Sequence, residues 1–285
     1  MTELNIGFIP IARPTFDTNL AAEVTGQARA ALAAAGCTLH GPTALVMDLP
    51  AAIAAAEGLS STPLDLLIVF QASFADSTMV VELARALREL PMLLWAVPEE
   101  RTGGRLRLNS FCGINLGGHG LRRAGFRYDY VYSAPADDRA IGKVRTLAQA
   151  GRVKRLLKTA KIGRFGLNPD GFDPCSYDGD ALATRLGVEI DQHPLAEVFE
   201  GARTAAVADL TSVVRRLSAR LDNLAELDQP ALHKTLASYL TLKRLSRERS
   251  YDGLAVRCWP EFFTELGGAA CGAMSMLSDE QTPCS

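Results

Sequence analysis

Apolar runs of strand length alternate with runs of helical period along most of this chain, and that alternation restricts the fold more than any other feature. Strand patterns at 4–11, 65–70 and 92–97 are separated by helical patterns at 19–35 and 76–89. A succession of this kind builds βαβ units and a parallel sheet. Asp76-Ser77-Thr78 is a good helix N-cap cluster, and Gly36 stands where a helix C-terminus favours glycine. A second set begins after a basic helix at 137–158. It runs through a strand at 161–167, a Gly/Pro/Asp loop to Asp173, a short helix ending near Gly187, and a strand at 188–192. Helical patterns at 197–227 and 229–249, a strand at 252–258 and a helix at 267–277 complete it. The predicted fold class is α/β, with two successive Rossmann-like parallel-sheet α/β domains at 1–160 and 161–285. The second reads as incomplete at its C-terminus, since a βα pattern ending in an apolar helix leaves the next strand position of the sheet empty.

Composition narrows the partners. A chain of 285 residues that is 48% hydrophobic and 22% charged is long enough for each domain to bury its own core. A formal net charge of −2 gives no basic field, so no nucleic-acid partner is expected. The six cysteines form no CxxC pair, and Met1-Thr-Glu-Leu-Asn5 has no basic segment ahead of a hydrophobic one, which reads as reduced thiols in a cytoplasmic protein. No apolar run reaches the ~18 residues of a membrane span, so no membrane association is expected.

Residues just past the strands carry the binding signal, because open α/β sheets take ligands at the C-terminal edge. Arg13 and Asp17 follow the first strand, with Asp17 also placed to cap the next helix. Gln71 and Phe74 follow the strand at 65–70, where Asp76 is the natural cap. Trp95 opens the richest loop, which continues through Glu100, Arg101 and a glycine pair to Asn109. No Gly-Lys-Ser/Thr follows that glycine pair and no GxGxxG follows any predicted strand, which excludes a P-loop and a dinucleotide fingerprint. Carboxylates, arginines and an aromatic face suit a polyhydroxylated ligand instead. In the second domain Arg257, Trp259 and Glu261 stand at alternate positions after an apolar run, so they are expected to form one wall of a crevice. His40, His119, His193 and His233 lie far apart, His119 in a predicted helix, and Asp279-Glu280 reads as solvated charge. No metal site is assembled from these residues.

Four blocks, Arg13-Pro14 with Asp17, Trp95 to Asn109 with Glu100-Arg101 and Gly103, residues 168–173, and Ala255-Val-Arg-Cys-Trp-Pro-Glu-Phe262, together resemble the L-fucose isomerase and L-arabinose isomerase superfamily, particularly its fucose-isomerase-like branch. The resemblance implies two α/β domains followed by a third, barrel-like domain, in a homo-oligomer (trimer or hexamer) with active sites between subunits. It implies aldose–ketose interconversion of a pentose or 6-deoxyhexose, with a divalent ion, usually manganese, assisting proton transfer through an enediol. In that family two acidic residues and a histidine hold the ion, and all three would fall after Ser285. This chain is therefore expected to be truncated before the metal-binding segment, with no cofactor of its own, unknown catalytic residues and little or no isomerase activity alone. Its partner is expected to be a small monosaccharide. A cytoplasmic sugar-binding or regulatory module is the alternative reading; a nicotinamide oxidoreductase fails on the missing glycine fingerprint.

Overall fold

The computed structural model describes residues 3–100 and 103–285. They divide into two compact units, Met1–Arg155 and Leu156–Ser285, a boundary a few residues before the position read from sequence.

In the first unit the strands are β1 (Leu4–Ile11), β2 (Cys37–His40), β3 (Leu66–Gln71), β4 (Met92–Ala96) and β5 (Asp129–Tyr132), parallel in the order β2-β1-β3-β4-β5. The helices are α1 (Thr18–Ala34), α2 (Leu49–Leu59), α3 (Ser77–Ala86), α4 (Ser110–Arg123) and α5 (Asp138–Leu157). Strand β3, Leu-Leu-Ile-Val-Phe-Gln, is buried throughout, as a strand covered by helices on both faces must be. Alternate side chains feed two cores. Ile6, Phe8, Phe70 and Trp95 pack with Ala28, Leu32, Val144 and Ala148 of α1 and α5, while Ile9, Ile11, Val69 and Leu94 pack with residues of α2, α3 and α4. Asp17, Asp48 and Asp76 cap α1, α2 and α3 through their carboxylates. Below the sheet, the buried Asp65 accepts from Arg155 Nε at 3.1 Å and Nη2 at 2.8 Å, and from the Asn5 backbone N–H at 2.9 Å.

The second unit holds β6 (Lys161–Phe165), β7 (Glu189–His193) and β8 (Gly253–Val256), parallel in the order β7-β6-β8. Between and after them run α6 (Gly179–Leu186), α7 (Leu195–Arg203), α8 (Val207–Ser218), α9 (Gln229–Arg249) and α10 (Ala270–Asp279). The single helical pattern at 197–227 is two helices broken at Thr204–Ala206; no proline or glycine marks that break, which is why periodicity runs through it. One face of the sheet carries the core, with Phe165, Leu254 and Val256 packed against Phe199, Leu242, Phe262 and Leu277. The strand position beside β8, expected to be empty, is taken by the end of the chain. Leu254 N donates to Pro283 O at 2.8 Å, Ser285 N to Leu254 O at 3.0 Å and Val256 N to Ser285 O at 2.8 Å, a short parallel pairing. Glu280 is not simply solvated either: it accepts from the Tyr239 hydroxyl at 2.7 Å and from Lys243 Nζ at 2.6 Å, with Arg216 at 3.4 Å. Burial works against its charge, but these donors hold its carboxyl below the usual range.

Candidate functional site

The chemistry-bearing residues of the second unit gather where its strands end. The last ladder bond is Arg257 N to Phe165 O at 2.9 Å; beyond it the chain leaves the sheet and winds into a π turn over Phe262–Leu266. Arg257, Trp259 and Glu261 thus do not alternate along a strand, because β8 ends at Val256. They meet through the turn. Arg257 Nε donates to Glu261 Oε2 at 2.8 Å and Nη2 contacts Oε1, a bidentate ion pair four residues apart. Trp259 stands 53% exposed, its ring 5.8 Å from that of Phe263.

Two hollows flank this ion pair. One, of about 470 Å³, lies on the sheet face opposite the core, with Arg164 of β6, Ile190 of β7 and Ala255 of β8 as its floor and Tyr177, Leu182 and Trp259 around it. The other, of about 510 Å³, is formed by 192–196 with Phe199, Arg257, Glu261 and Glu265. Both touch Gly166, Leu167 and Arg257, so Arg257 borders both, with Glu261 on the side of the second. Their volumes suit a monosaccharide-sized ligand.

Behind the second hollow, on the core face, sits a polar cluster that sequence spacing did not show. Strand register puts Asp191 opposite Gly163 and His193 opposite Phe165. A Cβ at Gly163 would lie 2.5 Å from the Tyr251 ring, so only glycine lets the tyrosine lie flat on the sheet there. The Tyr251 hydroxyl donates to Asp191 Oδ2 at 2.5 Å and is 2.7 Å from His193 Nε2; His193 Nδ1 is 3.0 Å from Arg249 Nη1, and Arg249 also pairs with Glu197. Hydrogen bonds from Tyr251 and then His193 pull the Asp191 carboxyl down to about 2, while burial and then Asp191 push the Tyr251 phenol up to about 12. A carboxyl lowered from 3.8 on folding adds stability that is complete above its unfolded value and disappears as pH falls through the folded one. Thermal melts of the wild type are expected to fall more steeply between about pH 4 and pH 2 than those of Asp191→Asn. Parallel slopes for the two proteins would contradict this.

In the first unit the expected site residues separate into surface pairs and buried groups. Arg13 forms an ion pair with Asp76, and its backbone N–H donates to Ser73 Oγ at 3.1 Å. Asp17 both caps α1, accepting from Leu20 N at 2.9 Å, and receives Arg107 Nη2 at 2.6 Å; the Leu20 bond and then the Arg107 pairing lower its carboxyl. Phe74 packs against Phe16 with ring centres 5.5 Å apart. Trp95 and Gln71, expected at the ligand edge, are buried instead. Trp95 has no exposed surface: its ring meets Phe70 edge-on at 5.5 Å, and its indole N–H donates to Ser133 O at 3.1 Å. Gln71 is likewise fully buried, its amide packed against Gly113 and Gly117 of α4. Both lie on strand residues whose side chains point into the helix-covered faces rather than over the edge, so Arg13, Gln71 and Trp95 do not share a groove. Glu100 is exposed, and Arg101 lies outside the described residues. Asn109 precedes α4 at φ 52° without a side-chain cap bond. Sequence reading missed Glu99, whose carboxylate accepts the backbone N–H groups of Arg107, Leu108 and Asn109 at 2.7, 2.8 and 2.6 Å.

Among the described residues no group of three or more His, Cys, Asp or Glu side chains is placed to hold a metal ion. Asp191, His193 and Glu197 lie together, but their polar atoms are engaged by Arg249 and Tyr251. The donor set of the manganese site implied by the resemblance is therefore not formed by these residues. No helix among them is long and apolar enough to cross a membrane.

The sequence model for the N-terminal domain of fucose/sulfoquinovose isomerases matches residues 7–159. The chain belongs to the fucose/sulfoquinovose isomerase family. Its relatives include the sulfoquinovose isomerases of Priestia megaterium, 28% identical over 283 residues, and of Alkalicoccus urumqiensis, 27% identical over 277. These alignments take in 98% and 97% of this family member and 62% of each relative, so the chain spans less than two thirds of their length. A solved solute-binding protein of an ABC transporter from Agrobacterium vitis, bound with α-D-tagatopyranose, aligns over 92% of the chain and 79% of its own at 14% identity and a TM-score of 0.27, too low to bear on the fold.

Proposed function

We propose that the complete protein is an aldose–ketose isomerase and that its substrate is a hexose carrying a sulfonate on its terminal carbon, rather than the pentose or 6-deoxyhexose expected from sequence. The observation that carries this reading is the similarity to sulfoquinovose isomerases along 97–98% of the chain, through both α/β units. The reaction moves a proton from C2 to C1 through an enediol while the hydroxyl and carbonyl oxygens exchange roles, so it needs a base beside the carbon and a polarising group on the oxygens. Residues 1–285 are assigned to holding the sugar, with Arg257, Glu261 and Trp259 at the rim of the hollows. A divalent ion, the homo-oligomeric assembly and a cytoplasmic setting belong to the complete protein in this reading, on the strength of the family resemblance.

The test compares the complete natural reading frame containing this chain with residues 1–285, both supplied with manganese, on sulfoquinovose, L-fucose, D-arabinose and L-arabinose. Conversion of sulfoquinovose by the complete protein at about 1 per second or faster is expected, in the ordinary range for enzymes, with none by residues 1–285. A complete protein that converts none of these sugars defeats the isomerase reading. Comparable turnover by residues 1–285 defeats the assignment of that segment to binding alone.

A further inference from the structure

Among the described residues Arg164 has no ion-pair partner. It projects from β6 on the sheet face opposite the core and forms part of the floor of the cavity of about 470 Å³. Among the described residues no carboxylate pairs with it. Its side-chain partners are Asn168 Oδ1, which accepts from Nη2 at 2.5 Å, and the Tyr177 ring, whose centre is 5.2 Å from the guanidinium carbon. Nε and Nη1 make no hydrogen bond among the described residues, so three N–H donors of the planar fork are unused. The cavity's other cation, Arg257, is already neutralised by Glu261; no aspartate or glutamate side chain lines the cavity, and the chain-terminal group of Ser285, at its edge, is engaged by the Val256 N–H at 2.8 Å.

A guanidinium on a largely apolar wall gives up hydration, and what restores it is an anion with oxygens spaced for the fork. The wall is also supplied with apolar surface: Tyr177 and Trp259 line the cavity and are exposed. Aromatic faces of this kind take the apolar side of a sugar ring, or any flat apolar group, beside a charged anchor.

We propose that Arg164 is the specificity-determining residue for an anionic substituent, receiving a sulfonate or a similar tetrahedral oxyanion while Tyr177 and Trp259 flank the attached ring. This rests on the sulfonated-sugar reading above and names the residue that would distinguish such a substrate from a 6-deoxy sugar. Asn168 is then a positioning residue. By taking Nη2 it turns the remaining donors toward the cavity.

The experiment is calorimetric titration of the 285-residue chain with sulfoquinovose and with quinovose, which has the same ring without the sulfonate. Trp259 emission provides a second readout, since the chain's other tryptophan is buried in the first unit. The wild type is expected to bind sulfoquinovose at least about tenfold tighter than quinovose, the scale of one charge-assisted hydrogen bond. Arg164→Gln should bind the two sugars alike, with Arg164→Lys intermediate. Ala255→Phe, which fills the cavity and leaves the charge in place, should bind neither. Equal affinities in the wild type, an undiminished preference in Arg164→Gln, or no binding of either sugar would each overturn the proposal. A purely structural role for Arg164 in pinning Tyr177 would lower both affinities together and leave their ratio intact. If the preference depends on Arg164 but the complete protein isomerises none of the four sugars, the isomerase reading falls and the anion subsite stands.

Discussion

Arg155→Met should destabilise the first unit by about 1–3 kcal/mol, the cost of leaving a buried acceptor short of donors and less than for a fully buried ion pair, because the Arg155 side chain is 35% exposed. Asp65 has no exposed surface, and two of the donors to its carboxylate are Arg155 Nε and Nη2. Without them the charge keeps the Asn5 N–H at 2.9 Å and remains buried. Arg155→Met combined with Asp65→Asn should recover part of the loss, because the cost lies mainly in the uncompensated charge. The measurement is hydrogen exchange resolved on peptides from β1 and β3, which isolates this unit and avoids a two-state assumption across the whole chain. A single-variant effect below about 1 kcal/mol, the range of an exposed pair, would mean that water reaches Asp65.

Trp95→Ala should cost the same unit about 3–5 kcal/mol through the cavity left beside Phe70 and the loss of the indole bond to Ser133 O. Trp95→Phe should cost less and leave sugar affinity unchanged. The two variants separate a core residue from a ligand contact: a ligand-facing tryptophan would lose affinity on conversion to phenylalanine with little change in stability. A drop in affinity without a drop in exchange protection would restore Trp95 to the site.

The sheet was legible because its inner strands are buried on both faces and therefore read as unbroken apolar runs. β1 occupies 4–11 as expected, and α9 matches its predicted span of 229–249. β2 and β5 were not legible, since Cys-Thr-Leu-His and Asp-Tyr-Val-Tyr are short edge strands with mixed polarity. α2 was missed although Asp48 and a proline begin it, its alanine-rich sequence having no polar stripe. At the sites, the order of residues along the chain was informative and their direction was not. Position after a strand placed Arg13 and Arg257 at edges, but Gln71 and Trp95 lie on strand residues that point inward. Arg164 left a trace, being a charged residue within an otherwise strand-like run, but that it has no ion-pair partner among the described residues is visible only in three dimensions.

Glu99 has a consequence for how this protein can vary. Its carboxylate gathers the backbone N–H groups of Arg107, Leu108 and Asn109, immediately ahead of α4, where a nucleotide-binding loop would hold a phosphate. The chain supplies its own anion there, so the entry to the helix is set before any ligand arrives. Position 99 and positions 107–109 are thereby fastened to each other by one side chain. Sequences of different length or charge could be spliced between these fixed points with α4 left in register, so evolution or an engineer could change that stretch without rebuilding the sheet.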